Sequence, residues 1–164
     1  MGCNECRSRV TEFFSTTYTR DFALSTAAAR RRELDELGYG WWVVEVREVA
    51  AFAGVICLRE VPFEAHFTPA REIGWRLAPA YWGNGYATEG ARAALTFGFD
   101  DLKWDEIVAM TAVPNVRSRR VMQRLGMTRD PKDDFEHPKV EEGHPLRRHV
   151  LYRIRAEATR GNRA

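Results

Sequence analysis

Hydrophobic and polar residues follow each other in patterns that predict a helix and then three strands in the first half of the chain. Residues 20–37 are rich in Ala, Leu, Arg and Glu, a pattern typical of an amphipathic helix that ends at Gly38. Two β-branched and aromatic runs, GWWVVEVRE and FAGVICLREV, predict a hairpin. In REIGWRLA, the side chains of Ile73, Trp75 and Leu77 point one way and those between them the other, which predicts a third strand.

The second half of the chain predicts a helix, a strand, a short helix and a final strand. Apolar residues keep a helical period over 86–102, and DEIVAMTAV then predicts a strand. PNVRSRRVMQRLG predicts a helix with Asn115 at its N-cap and Gly126 just past its last turn. Residues 129–146 are charged and contain proline, which indicates a long loop before the strand RRHVLYRIRA. This order predicts an α+β fold with a mixed sheet.

Length and composition indicate one domain with its own core. The chain has 164 residues, of which 45% are hydrophobic. We expect a domain over residues 10–156, a disordered tail over 1–9 and a frayed tail over 157–164. A net charge of +2 and the lack of a basic stripe with interleaved aromatics argue against a nucleic-acid partner. No apolar run approaches the roughly 20 residues of a membrane span, and the N-terminus lacks a signal-peptide core, so we expect a cytoplasmic protein with no membrane partner.

Three cysteines are too few for a disulfide framework. Cys57 lies in a strand-like apolar run and is interpreted as a buried small hydrophobe. Cys3 and Cys6 form one C-x-x-C pair, which fits half of a zinc or redox site or simply a tail. No second pair exists in the sequence, so we favour the tail and expect no metal.

The stretch YWGNGYATEG, residues 81–90, combines a strand end, two glycines and a helix start. A helix N-terminus presents unpaired N–H groups and a partial positive charge, and Gly83 and Gly85 allow the backbone to approach an anion closely. No Walker Lys-Ser/Thr pair follows, and Thr88 stands where a dinucleotide-binding loop has its third glycine. The loop alone therefore fits either a phosphate site or a plain turn.

The stretch EIGWRLAPAYWGNGYATEGARAAL resembles the pyrophosphate loop of the GNAT family of acetyl-CoA-dependent N-acetyltransferases, and more narrowly its RimJ/RimL-type branch. The family loop has the pattern Arg/Gln-x-x-Gly-x-Gly/Ala. Gly83 and Gly85 match its last two fixed positions, whereas Ala80 stands where Arg or Gln is expected.

A second stretch, AVPNVRSRRVMQRLGM, is similar to the family motif that follows about thirty residues later. The matching positions are Asn115, Ser118, Leu125 and Gly126. The resemblance covers residues 71–127 and implies the GNAT fold, a central mixed and mostly antiparallel sheet flanked by helices. The family's usual first strand has no recognisable counterpart in MGCNECRSRVTEFFSTTYTR, so we expect that strand to be missing or degenerate.

The resemblance also implies how acetyl-CoA binds. The backbone of Leu77 and Ala78 would pair with the pantetheine arm as an added strand. Asn115 fits an N-cap, a pantetheine ligand, or both, and Ser118 lies near the thioester. The N–H groups that would hold the pyrophosphate belong to Trp82, Gly83, Asn84, Gly85, Tyr86, Ala87 and Thr88.

The helical spacing of Ser118 with Val121, Met122 and Leu125 places its hydroxyl on the apolar stripe of the third predicted helix. A buried hydroxyl needs a partner. One interpretation is a hydrogen bond to a carbonyl of its own helix. The other, implied by the resemblance, is that Ser118 protonates the departing thiolate.

Acetyl transfer also needs a base that takes a proton from the attacking amine. Glu72 is one candidate, and a solvated glutamate paired with an arginine is the alternative. His137 in the long loop is the rival because histidine titrates near neutral pH, although a lone loop histidine is more often surface. His144 and His149 have no argument beyond their residue type.

The sequence therefore predicts an N-acetyltransferase that moves the acetyl group of acetyl-CoA to an amine by direct attack in a ternary complex, without a metal. The acceptor is a protein N-terminus or a small-molecule amine. The alternative is a non-catalytic module that binds acetyl-CoA or a partner. Pairing through the last strand would make a homodimer. Turnover, as opposed to binding alone, distinguishes the enzyme from the binding module.

Overall fold

A computed structural model describes residues 12–13 and 19–157 of the chain. The predicted α+β fold with a mixed sheet is confirmed. The elements, in chain order, are α1 (Arg20–Leu37), β1 (Trp41–Val46), β2 (Ala50–Glu60), β3 (Arg71–Leu77), α2 (Tyr86–Asp100), β4 (Glu106–Ala112), α3 (Val116–Arg124), β5 (Phe135–Glu136) and β6 (Arg148–Arg155), with short 3-10 turns at Pro79–Tyr81 and Pro131–Asp133.

Two sequence expectations need correction. The predicted loop over 129–146 contains a 3-10 turn and the short strand β5, which pairs with β6. Helix α1 begins and ends as predicted, with Gly38 left-handed at its C-cap, but it contributes no buried residue, and Phe22 and Leu24 are more than half exposed. The expected tail over 1–9, with Cys3 and Cys6, lies outside the described residues. Within those residues, no strand precedes α1.

The six strands form one sheet in the order β1-β2-β3-β4-β6-β5. All neighbours are antiparallel except β3 and β4, which are parallel. Strand β4 pairs with β6 along its whole length, from Glu106 opposite Arg155 to Ala112 opposite His149. In contrast, β3 and β4 pair at Glu72 opposite Val108 and at no later position among the described residues. The two central strands therefore separate as they run toward their carboxyl ends.

The sheet has a large core on one face and a smaller one on the other. Helices α2 and α3 cover the first face, where Leu58, Leu95 and Ile107 are buried, with Trp42 and Trp75 packed against the cluster. Cys57 is also buried, as predicted. The second face is covered by the loop over 61–70. Its core comprises Phe67 of this loop and Val108, Phe135 and Leu151 of the sheet.

Two glycines bring α2 close to the sheet. A Cβ on Gly90 would lie 2.4 Å from Cδ1 of Ile56, and a Cβ on Gly98 would lie 2.8 Å from Cδ1 of Ile107. Any larger residue would push the helix outward or displace these side chains, because a packed core has little spare volume. The glycines therefore allow α2 to pack closely on Ile56 and Ile107 of the sheet.

Gly54 of β2 packs directly against the backbone at the end of β3. A Cβ there would lie 2.3 Å from the carbonyl oxygen of Arg76 and 2.6 Å from Cα of Leu77, and backbone atoms of a sheet have little room to shift. We expect Gly54→Ala to lower the free energy of unfolding by about 3 kcal/mol or more. Gly38→Ala is the matched control, because its left-handed backbone opens on free space and costs about 1–2 kcal/mol. Urea unfolding of both variants measures this, and equal losses would contradict the close packing.

Candidate active site

The glycine loop joins the end of β3 to the start of α2. Gly83 and Gly85 have φ values of 82° and 85°, in the left-handed region that favours glycine, and Gly85 is the N-cap of α2. A Cβ built on either glycine meets nothing within 4 Å, so the loop backbone borders open space. This is the geometry that lets a helix N-terminus accept an anion.

The structure corrects two of the seven predicted pyrophosphate-binding N–H groups. The N–H of Trp82 donates to the carbonyl of Pro79 at 3.2 Å, and that of Thr88 donates to the carbonyl of Gly85 at 2.9 Å. Both are engaged because the 3-10 turn and the first turn of α2 close on themselves. The groups that remain as candidates are those of Gly83, Asn84, Gly85, Tyr86 and Ala87, and the last two begin a helix, where N–H groups have no intrahelical partner.

The side chain of Trp82 connects this loop to its surroundings. Its indole N–H donates to the carbonyl of Leu77 at 2.8 Å. The guanidinium of Arg117 lies 4.5 Å from the centre of its ring, a cation–π distance, and also bonds the carboxylate of Glu12 at 2.5 Å. Trp82 therefore connects the loop to the end of β3 and to the start of α3.

At the end of β3, some backbone groups bond to β2, and others face the gap that opens where β3 and β4 separate. The N–H of Ala78 donates to the carbonyl of Ala53 at 2.9 Å, so the prediction that Ala78 pairs with pantetheine is wrong for this N–H. Because hydrogen-bonded and non-hydrogen-bonded pairs alternate in antiparallel strands, Leu77 and Trp75 direct their N–H and C=O groups away from β2. They face the space where β3 and β4 separate. Trp75 was not among the predicted site residues, although strand alternation from Leu77 would have shown that its backbone groups face the same space.

Asn115 and Ser118 form a small polar network at the start of α3. The side-chain oxygen of Asn115 accepts the N–H of Ser118 at 3.2 Å, which confirms the predicted N-cap. Its amide nitrogen donates to the hydroxyls of Thr111 at 3.0 Å and Ser118 at 3.2 Å. Ser118 is half-buried, and Met122 and Leu125 behind it are buried, as the apolar stripe predicts. The hydroxyl oxygen of Ser118 accepts from Asn115, so its own proton is left for another acceptor.

The alternative interpretation of Glu72 is a solvated glutamate paired with an arginine. The side chain is buried, so the solvated part of that interpretation is wrong, whereas the pairing with an arginine is confirmed. Its residue exposure is 7%. Two nitrogens of Arg59 contact the same carboxylate oxygen, Oε1. Burial raises the pKa of the Glu72 carboxyl above its ordinary value of 4.5, and the charge and hydrogen bond of Arg59 oppose this rise. Arg59 in turn stacks at 5.5 Å on Trp41, whose ring also faces Arg30 at 5.4 Å.

His137 lies in the loop over the second face of the sheet and is half-buried, not on the surface. Its ring centre is 4.6 Å from that of Phe63 and 4.7 Å from that of His149. Burial, followed by the charge of His149, lowers its pKa to about 4, so it is neutral at physiological pH. Its Nδ1 accepts the N–H of Lys139 at 3.2 Å, which commits the one lone pair of the neutral ring.

His144 and His149 differ in the role of Nδ1, which accepts a hydrogen bond in His144 and donates one in His149. Nδ1 of His144 accepts the N–H of Leu146 at 3.1 Å and stabilises a turn. Nδ1 of His149 faces the carbonyl of Arg147 at 3.1 Å. A carbonyl can only accept, so Nδ1 of His149 carries the proton and Nε2 has a free lone pair. Sequence reasoning had no argument for His149, because its position depends on the register between β4, β6 and β5.

The arrangement contains no metal centre within residues 12–13 and 19–157: no group of three or more His, Cys, Asp or Glu side chains there is placed to hold an ion. In the same part of the chain, no helix is long and apolar enough to cross a membrane.

Comparison with known proteins identifies the family. The family model described as "Acetyltransferase (GNAT) domain" matches residues 4–128, which is most of the chain. The chain therefore belongs to the GNAT acetyltransferase family. It is similar to a solved GNAT acetyltransferase from Bacillus anthracis, with a TM-score of 0.69 and 27% identity over 93% of this chain and 84% of that one.

Two curated relatives are more similar in sequence over shorter stretches. One is YkkB of Bacillus subtilis, 36% identical over 95 residues, which are 57% of this chain and 54% of the relative. The other is the FsC-acetyl coenzyme A-N(2)-transacetylase of Aspergillus fumigatus, 35% identical over 114 residues, which are 65% of this chain and 48% of the relative. The chain spans about half the length of these two relatives.

The ion pair of Arg59 with Glu72 makes a prediction for stability. Arg59→Met leaves a buried carboxylate without its partner, which costs about 3–5 kcal/mol of unfolding free energy at pH 7. The control is Arg31→Met, because the Arg31–Asp35 pair is exposed, with side chains 76% and 58% accessible, and such pairs contribute about 0.5 kcal/mol or less.

The stability loss caused by Arg59→Met should depend on pH, because burial raises the pKa of Glu72. A carboxyl whose pKa is raised by folding binds its proton more tightly in the folded state, so it favours folding at low pH and loses that contribution as pH rises through the raised value. Without Arg59 the pKa of Glu72 rises further. The loss caused by Arg59→Met should therefore shrink as the pH falls from 7 toward 4.5, measured by urea unfolding. A loss that stays constant or grows over this range would contradict a buried, charged Glu72.

Proposed function

We propose that this GNAT protein is an acetyl-CoA-dependent N-acetyltransferase of the RimJ/RimL type. The observation that carries the proposal is the separation of β3 from β4 directly before an open, glycine-containing helix start. The space between β3 and β4 suits an extended arm, and the helix start suits a pyrophosphate. Coenzyme A contains both groups in one molecule. The relative named for acetyl coenzyme A and an N(2) position supports the same donor and the same kind of acceptor atom.

In this proposal the chain's backbone holds the donor. The N–H groups of Gly83–Ala87 bind the pyrophosphate at the positive end of α2. The groups of Trp75 and Leu77 that face the gap pair with the pantetheine arm. Since the carbonyl of Leu77 already accepts from Trp82, its N–H is the group left for the arm or for the thioester oxygen.

The reaction is a direct transfer with no covalent enzyme intermediate. The neutral amine attacks the thioester carbonyl, a C–N bond forms, and negative charge develops on the carbonyl oxygen, where a backbone N–H in the gap stabilises it. The C–S bond then breaks, and the thiolate takes a proton, for which the hydroxyl of Ser118 is the candidate donor. The amine loses a proton to a base, and Glu72 and His137 both lie on the face of the sheet opposite α2 and α3. The reaction class does not depend on which group there takes it.

The acceptor is proposed as an amine of a protein N-terminus or of a small molecule. A cytoplasmic location and a homodimer are part of the same proposal. The expected pairing of two copies through the last strand does not fit the fold, because β4 pairs with one side of β6, and β5 and Thr128 pair with the other. The experiment that tests the function is thiol release from acetyl-CoA in the presence of a panel of amines and peptides. Release that depends on one acceptor supports the enzyme, whereas acetyl-CoA binding without release for any acceptor supports a non-catalytic module.

A substitution at Gly83 tests the pyrophosphate site. Asp and Asn both tolerate the left-handed backbone and have nearly the same shape, but only Asp adds a negative charge beside the phosphates. We expect Gly83→Asp to bind acetyl-CoA about tenfold or more weakly than Gly83→Asn, which corresponds to about 1.4 kcal/mol. Isothermal titration calorimetry measures both dissociation constants.

Gly126→Asp is the positional control, because Gly126 has a φ of 80° and open space but follows the far end of α3. It should bind acetyl-CoA like the wild type. Equal affinities of the Asp and Asn variants at position 83 would mean that the loop is only a turn.

A further inference from the structure

His137 and His149 sit side by side but present opposite hydrogen-bonding groups. The ring of His137 accepts at Nδ1 from Lys139, so its neutral form carries hydrogen on Nε2. The ring of His149 donates at Nδ1 to the carbonyl of Arg147, so its neutral form has a lone pair on Nε2. Of the two imidazoles, only that of His149 has a nitrogen ready to take a proton.

His149 lies on β6, one strand away from the gap between β3 and β4, because β4 separates β6 from β3. His149 is opposite Ala112 at the end of β4. Its ring lies 5.7 Å from that of Phe135, on the face opposite α2 and α3. Ala112 has only a methyl group, so no large side chain of β4 separates the imidazole from the gap at this level.

The position of His149 along the strand direction matches that of the backbone groups of β3 that face the gap. Glu72 of β3 is opposite Val108 of β4, and the two strands are parallel. Four residues further along each strand are Arg76 and Ala112. His149, opposite Ala112, is therefore at the height of the backbone groups of Trp75 and Leu77 that face the gap.

Glu72 shares this face but is less suited to the same task. It is opposite Val108, which packs with Leu151 in the second core. It is almost fully buried, and Arg59 binds one oxygen of its carboxylate. Protonation would break a buried ion pair and leave Arg59 uncompensated, which is costly. The role that fits Glu72 is to hold Arg59 in place.

We propose that Nε2 of His149 is the base that takes the proton from the acceptor amine in the gap, in preference to Glu72 and His137. This inference rests on the proposed N-acetyltransferase function. In the step, the amine nitrogen forms its bond to the acetyl carbon, its N–H proton moves to Nε2, and the resulting imidazolium keeps its Nδ1 hydrogen bond to Arg147. The thiolate of coenzyme A leaves with the electron pair of the C–S bond.

The charged groups around His149 set its protonation state. Burial lowers its pKa, while the Arg147 carbonyl and the charge of Glu136 on β5 oppose the shift. Glu136 is itself bound by Arg147 and Arg148. His137, which faces His149, has its pKa lowered chiefly by burial and then by the charges of His149, Lys139 and Arg59. His149 is therefore neutral at physiological pH and able to accept a proton.

The test uses variants that keep each local hydrogen bond. His149→Asn keeps a donor for the Arg147 carbonyl but removes Nε2. His137→Asn is the matched control, because its side-chain oxygen still accepts from Lys139. With the best acceptor from the panel, we expect His149→Asn to lower kcat about 10²-fold or more and His137→Asn less than tenfold. Both should bind acetyl-CoA with unchanged affinity by calorimetry. Free imidazole should restore part of the activity of His149→Asn only.

The pH dependence of kcat/KM and the tautomer of His149 give two further tests of the proposed base. We expect the wild-type kcat/KM to fall at acidic pH as His149 becomes protonated, and this acidic limb should disappear in His149→Asn and persist in Glu72→Gln. If His149→Asn keeps wild-type turnover, or if imidazole rescues only Glu72→Gln, the inference is wrong. Nitrogen-15 NMR of the wild-type histidine rings tests it without turnover. Hydrogen on Nδ1 of His149 supports the inference, and hydrogen on Nε2 overturns it. Failure to bind acetyl-CoA would overturn the proposed function and the inference that rests on it, and NMR would still show which tautomer His149 adopts.

Discussion

The separation of β3 from β4 after Glu72 is the constraint on which the rest of the site depends. Buried backbone N–H and C=O groups require partners, and a parallel neighbour would normally supply them. Here β4 pairs fully with β6 but meets β3 only at Val108. The N–H and C=O groups of Trp75 and the N–H of Leu77 face a gap inside the sheet, since the carbonyl of Leu77 accepts from Trp82. An extended ligand arm is the kind of partner that completes such an edge.

The surroundings hold this gap open and give it two chemically different sides. On the helix side, Gly90 and Gly98 let α2 pack closely on the sheet, and the loop at Gly83 and Gly85 connects the end of β3 to this helix. Asn115 ties the start of α3 to β4 through Thr111 on that side. On the opposite side are a buried ion pair, aromatic rings and neutral imidazoles. A donor held by the loop would thus present its reactive end to a separate, partly dry space.

Sequence patterns predicted much of this, because most of the signals are local. The strand at 71–77, the N-cap at Asn115 and the glycine loop each follow from residue types within a few positions. What the sequence could not provide depends on register between distant strands. Ala78 is bonded to Ala53, and His149 stands opposite Ala112, only because β2, β4 and β6 align as they do. The amide groups of Trp82 and Thr88 close local turns, and the loop motif does not reveal that.

The most direct test of the central claim is amide hydrogen exchange at the end of β3, followed by NMR with and without acetyl-CoA. If the gap receives the pantetheine arm, exchange at Leu77 should slow markedly when acetyl-CoA binds, because its N–H gains a partner. Ala78 serves as an internal reference, since its N–H is already bonded to Ala53 and should change little. Acetyl-CoA binding with no change at Leu77, or no binding at all, would contradict the account.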